Sequence, residues 1–258
     1  MGPGRKCRSP PPAAAGGGVG TYALDPARGL AARRVETVLA VLGPAPDMAQ
    51  RAAAEAVPGL TLVETGLPLD WTAAEPGELR HAGARLSALA DDMGVYLVHL
   101  NTPALAAPAS FSVPPVATSH SCLAPGWDAV KGGEPLPADF AWRHDLTGRG
   151  LRAADAVTAP TKAFAEETQR AHGLPVLPRV VSNGRTAPPR DPARRSEAPR
   201  HFALTAGRLW DEGKNVATLD RAAERMLSPF FAAGPLGRPG RAPNAPSPLR
   251  PPGRPLAP

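Results

Sequence analysis

The stretch Ala156-Val157-Thr158-Ala159-Pro160-Thr161, running into Lys162–His172 and closing on Gly173, decides the fold class. Four small or β-branched residues read as a short strand that a proline ends. Thr161 is the expected N-cap, with Phe164 and Ala165 opening an apolar stripe. Gly173 stands where a helix places its C′ residue. A strand that feeds an amphipathic helix in this way is half of a βαβ unit.

The same alternation extends in both directions. Strands are expected at Val35–Leu42, Leu60–Glu64, Val95–Leu100, Val113–Ser119, Val180–Ser182 and Phe202–Thr205. Helices are expected at Pro46–Ala56, Glu78–Asp92, Asp139–Ala154 and Asn215–Met226, with a helical stretch from Tyr22 to Arg33. The strand runs lack strict polar alternation, which suits a sheet covered on both sides. The reading is α/β: a Rossmann-like parallel sheet with helices on both faces, followed by an incomplete second domain of the same kind.

Composition narrows the function. The 258 residues include 34 prolines, against an ordinary share of about 5%. Residues 227–258 hold ten prolines and four arginines with no acid, and residues 1–15 hold three basic groups with no acid. Both ends read as disordered. They carry more than the whole net charge of +6, so residues 16–226 are nearly neutral. That distribution, with aromatics at 5%, argues against a nucleic-acid partner. Cys7 and Cys122 cannot build a disulfide framework or a cysteine metal site, which points to a reducing, cytoplasmic setting. No apolar run reaches 18 residues, so no membrane-spanning helix is expected, and peripheral contact with a membrane surface stays open.

Three places could carry chemistry. Gly16-Gly17-Gly18-Val19-Gly20-Thr21 precedes a helical stretch, so bare backbone and helix N–H groups could meet a phosphate. A flexible linker accounts for it equally well. The turn also lacks its strand, because the prolines in Met1–Ala15 rule out a central one. Pro26 should kink or shorten the helix that follows. His120 follows the expected strand Val113–Ser119 and so falls at the C-terminal edge of the sheet, where open α/β sheets bind ligands. Ser119, Ser121 and Cys122 beside it fit no nucleophile elbow. In Thr205-Ala206-Gly207-Arg208-Leu209-Trp210-Asp211-Glu212-Gly213-Lys214-Asn215, a strand ends in glycine and two cations flank a strand-to-helix turn. Such a corner suits a diphosphate. Asp211 and Glu212 equally allow simple surface pairing.

Taken in order, Gly17–Tyr22, Val116–His120, Ala153–Thr161, Val181-Ser182-Asn183-Gly184 and Gly207-Arg208-Leu209…Lys214-Asn215 resemble the GT-B glycosyltransferases of family 4. The resemblance implies two Rossmann-like domains and a nucleotide-sugar donor, with UDP or GDP as the nucleotide. It implies transfer to an acceptor with retention of anomeric configuration and no metal or other cofactor, and the sequence holds no Asp-X-Asp motif. By the same resemblance Gly17 and Gly18 lie near the donor phosphates, His120 contacts the transferred sugar, and Arg208 and Lys214 clamp the diphosphate. Residues 16–187 then form the acceptor domain, with acceptor specificity in loops such as Gly66–Gly77 and Cys122–Pro137. Residues 188–226 supply the first βα unit of the donor domain.

The chain departs from that family in three ways. The first strand is missing, the tail 227–258 lacks the glutamate pair that holds donor sugar and ribose, and Arg34 stands where a glycine is usual. The chain is therefore expected to be a truncated glycosyltransferase. A non-catalytic remnant is the alternative, and a sugar-nucleotide epimerase lacks the acidic groups it would need.

Overall fold

The computed structural model describes residues 13–14, 18–107, 109–121, 126–127, 130–185 and 201–236. The chain divides into two compact units, Met1–Ala187 and Pro188–Pro258. The cysteines, Gly16, Gly17 and most of both proline-rich ends lie outside the described residues.

In the first unit the order is β1 (Ala13–Ala14), α1 (Gly18–Ala31), β2 (Thr37–Leu42), α2 (Met48–Glu55), β3 (Leu60–Glu64), α3 (Pro76–Asp92) and β4 (Val98–Leu100). A 3-10 turn at Pro103–Ala106 leads to β5 (Pro115–Thr118), α4 (Ala138–Ala153), β6 (Ala156–Ala159), α5 (Lys162–His172) and β7 (Arg179–Val180). Every strand pairing is parallel. The α/β reading holds, and Leu60–Glu64, Ala156–Ala159 and Lys162–His172 fall where the sequence put them. Asp47 and Gln50 close a capping box on α2, and Thr161 accepts the Phe164 N–H at the start of α5.

The expected single sheet is divided. Hydrogen bonds give one sheet in the order β1-β2-β3 and another in the order β4-β5-β6-β7. In a doubly wound sheet the first strand lies between the second and fourth. Here β1 has two residues and bonds only to β2 among the described residues. Met1–Ala15 was expected to supply no central strand, and the two residues that do pair lie at the edge of their sheet. Pro10, Pro11 and Pro12 remove ladder donors just upstream, and Ala13-Ala14 begin where the prolines stop. Apolar packing bridges the division: Val38 of β2 joins Val98 and Leu100 of β4 in one buried cluster. A second cluster brings Ala40 and Leu42 together with α3, the 3-10 turn and Leu146 of α4. All six residues of β2 are buried, which is why that strand shows no polar alternation.

The second unit holds β8 (Ala203–Ala206), α6 (Val216–Ala223) and β9 (Phe230–Ala233), with β8 and β9 parallel. Here the sequence reading is corrected. It closed the βα unit at Met226 and assigned 227–258 to a disordered tail, but a strand follows the helix. Pro229 and Pro235 flank the run Phe230–Ala233 and do not interrupt it. Their carbonyls extend the pairing, accepting from Ala203 N–H at 2.9 Å and Leu209 N–H at 3.0 Å. Proline removes a donor and leaves the acceptor. The remainder of that tail is outside the described residues.

Three helices of the first unit end in the same way. At α3, Gly94 N–H reaches Asp91 O and Val95 N–H reaches Ala90 O; at α5, Gly173 and Leu174 repeat the pattern. Both glycines sit at φ 58°. At α1 the bonds are Arg34 to Ala31 and Val35 to Leu30, and the left-handed residue is Arg34 at φ 60°. Each is a Schellman motif, but arginine pays a left-handed penalty of about 1 kcal/mol that glycine avoids. Arg34→Gly should therefore raise stability by a few tenths to about 1 kcal/mol, and Gly94→Arg should lower it by about as much. Urea melts of the two variants against the parent chain check both signs.

Candidate functional site

β4, β5 and β6 are parallel and in register, so their C-terminal ends share one edge. There His120 Nε2 lies 2.9 Å from Asn101 Oδ1. An amide oxygen only accepts, so Nε2 carries the proton and Nδ1 is the basic nitrogen of the neutral ring. Tyr22 of α1 presses against the His120 ring edge-to-face, with centroids 4.4 Å apart. Beside this pair runs a partly buried polar chain. His99 Nε2 is 2.6 Å from Thr118 Oγ1, which is 2.7 Å from Thr158 Oγ1. Thr118 and Thr158 are register partners on β5 and β6, which is why their hydroxyls meet. Burial, reinforced by the nearby His120, pushes His99 down to about 4. Burial also lowers His120, while it raises the Tyr22 phenol against a hydrogen bond to Thr118. Both imidazoles are thus neutral near pH 7.

His120 opens on a cavity of about 60 Å³, lined also by Asp70, Asn101, Ser121, His144 and His172. His144 and His172 stack with centroids 4.4 Å apart, and burial first, then His144 and Arg152, lower His172 to about 4. Gly148 permits that stack, since a Cβ there would stand 2.9 Å from His172 Nδ1. Asp70 arrives on the loop between β3 and α3. Arg143 of α4, itself buried, fastens that loop by donating to Asp70 O at 2.8 Å and Ala73 O at 2.6 Å. The same guanidinium pairs with Asp139 and holds its carboxyl below the usual range.

In the second unit, Arg208 and Lys214 occupy one corner at the end of β8. The Lys214 stem passes beside Gly207, 3.9 Å from where a Cβ would be. Gly207 and Gly234 end the two strands, and a Cβ on Gly234 would fall 1.7 Å from Gly207 O. The two strand ends therefore pack backbone against backbone, which only glycine at position 234 allows. Arg208 is engaged: its Nε and Nη2 donate to Asp211 Oδ2 at 3.1 and 2.6 Å. That bond holds the Asp211 carboxyl below its usual range. Asp211 also accepts the Gly213 N–H at 3.0 Å.

Of the residues singled out from sequence, His120 lies in the first unit and Arg208 with Lys214 in the second. Gly18 is the first residue of α1, four residues before the expected start of that helix, and Pro26 lies inside the helix. Gly17 lies outside the described residues. Sequence reasoning missed Asn101, Tyr22, Asp70 and Gly234 as site residues. Asn101 follows β4 as His120 follows β5, and Gly234 follows an apolar run, so the strand-end logic used for His120 would have found both. Among the described residues no cluster of three or more metal-ligating side chains occurs, and no helix is long and apolar enough to cross a membrane.

The fold is similar to that of several solved GT-B glycosyltransferases. A glycosyltransferase from Rickettsia africae aligns over 88% of this chain and 60% of its own, with TM-score 0.54 and 12% identity. LpCGTa, solved in complex with UDP, aligns over 88% and 65%, with TM-score 0.55 and 16% identity. A UDP-glucosyltransferase from Polygonum tinctorium capable of glucosylating indoxyl gives 88%, 64%, 0.54 and 12%. This chain thus spans somewhat under two thirds of their length. No curated protein sequence matches it. Residues 16–186 match the family described as Glycosyltransferase Family 4, and the chain belongs to that family.

The two depressed histidines set a pH dependence. Each has a folded value near 4, below its ordinary 6.5, so the unfolded chain binds more protons between those limits. Their contribution to stability is full above about pH 6.5 and is lost as pH falls toward 4. Urea midpoints should drop across that window, and His99→Gln should flatten part of the slope.

Proposed function

We propose that this chain serves in transferring a sugar from a UDP- or GDP-sugar to an acceptor, with retention at the anomeric carbon and without a metal ion. The observation that carries the reading is the corner at the end of β8, where Arg208 follows Gly207 and the Lys214 stem passes beside it. The bond between the anomeric carbon and the diphosphate breaks with its electron pair going to the diphosphate. Two cations at that corner would offset the charge that develops there. Gly17 and Gly18 are assigned to the phosphate side of the donor. His120, oriented by Asn101 and Tyr22, is assigned to the transferred sugar, with basic Nδ1 available to accept from a hydroxyl. Acceptor oxygen then bonds to the anomeric carbon and its proton leaves with the diphosphate.

A second reading, a family member without donor binding, draws support from the Arg208–Asp211 pair, which occupies the guanidinium that a diphosphate would need. The same measurement separates the two. A ligand that binds only the folded state raises its melting temperature. Millimolar UDP or GDP should protect the chain, and Arg208→Ala or Lys214→Ala should abolish the protection. Asp211→Asn, which keeps the turn's acceptor but releases Arg208, should tighten nucleotide binding severalfold. His120→Ala should leave protection intact while turnover falls at least tenfold. An unchanged melt with both nucleotides favours the non-binding reading.

A further inference from the structure

The cavity beside His120 contains a carboxylate to which the transfer gives no role. Asp70 sits on a loop whose shape is fixed several times over. Arg143 donates to two of its carbonyls, Thr72 Oγ1 both accepts from Leu69 N–H at 2.9 Å and donates to Leu69 O at 3.1 Å, and Trp71 N–H donates to Asp70 Oδ1 at 3.1 Å. Burying a guanidinium costs desolvation, so spending one on a loop's carbonyls makes sense where that loop must hold a position.

The hydrogen bonds to the Asp70 carboxylate come from backbone N–H groups. A carboxylate offers about four acceptor sites, and the N–H groups of Trp71 and of Asp70 itself occupy two. His120 directs its Nε2 proton to Asn101, and Arg143 is taken up by carbonyls and Asp139. Burial holds the Asp70 carboxyl above the usual range, against the bonds from the Trp71 and Asp70 N–H groups and the Arg143 charge. A ligand that brings hydroxyl donors suits a carboxylate lining this cavity. Its volume of about 60 Å³ is a few times the roughly 10–15 Å³ that one water needs, so it takes one edge of a sugar ring, not the whole ring.

We infer that Asp70 is a specificity-determining residue, whose carboxylate accepts a hydrogen bond from a hydroxyl of a carbohydrate seated against His120. This rests on the sugar-transfer reading for why a carbohydrate comes there. The hydroxyl can belong to the donor's sugar or to a sugar-like acceptor, and the test separates them.

The experiment follows the imidazole Cε1–H resonance of His120 in the full chain, assigned with His120→Gln. Glucose, mannose, N-acetylglucosamine and UDP-glucose are titrated, with UDP as the reference. At least one sugar-bearing titrant should shift the resonance beyond the effect of UDP, and its apparent Kd should rise at least tenfold in Asp70→Asn. Asp70→Ser, which keeps a short acceptor for the Trp71 N–H, should show the same loss and guards against a folding defect in the first variant. Heat protection by UDP should be equal in parent and variants. A response to UDP-glucose alone assigns the hydroxyl to the donor, and a response to free sugars assigns it to the acceptor. The inference is overturned if affinity is the same with and without the Asp70 carboxylate, or if none of the sugars moves His120. Should a free sugar depend on Asp70 while neither UDP nor GDP protects any version of the chain, the transfer reading fails and Asp70 keeps its role.

Discussion

Because β4, β5 and β6 run parallel and in register, the residues that follow them leave the sheet at one edge. Asn101 and His120 meet there only because two strands end level, and the hydroxyls of Thr118 and Thr158 touch because they are register partners. A slip of one residue in β5 would turn His120 to the opposite face and break the contact with Asn101. The site of the first unit is thus a product of ladder register, and α1, α4 and the β3–α3 loop are built onto that edge.

Division of the first unit into two sheets shows how much the missing ladder matters. Among the described residues β1 spans two positions, and continuity between β2 and β4 is carried by side chains, chiefly Val38, Val98 and Leu100. Apolar packing is less directional than a ladder. It tolerates a short first strand where strict pairing would not. The fold therefore survives a sequence whose prolines end just before Ala13.

Much of the fold was legible because its signals are local. Ala156–Ala159, Lys162–His172 and the caps Thr161 and Gly173 depend on residues within one turn of each other. The signal lost at β9 was also local but misweighted: proline density suggested no strand, whereas prolines at 229 and 235 flank four residues that keep every donor. Asn101 and Asp70 were harder. Their meaning comes from partners 19 and 73 residues away, His120 and Arg143, and no periodicity encodes such distances. His120, Arg208 and Lys214 stood out by strand-end position and charge, and the structure adds the Arg208–Asp211 bond, which the sequence only allowed.

The left-handed arginine at the end of α1 reaches further than its own turn. That helix carries Tyr22, whose ring braces His120 from the side, so the histidine's orientation depends on a rod fastened at its far end by a strained knot. Fraying there would pass along α1 and slacken the brace. A residue twelve positions and three helical turns from the imidazole's neighbour thereby becomes a tuning point for how steadily the imidazole is aimed, with no contact of its own to any bound molecule.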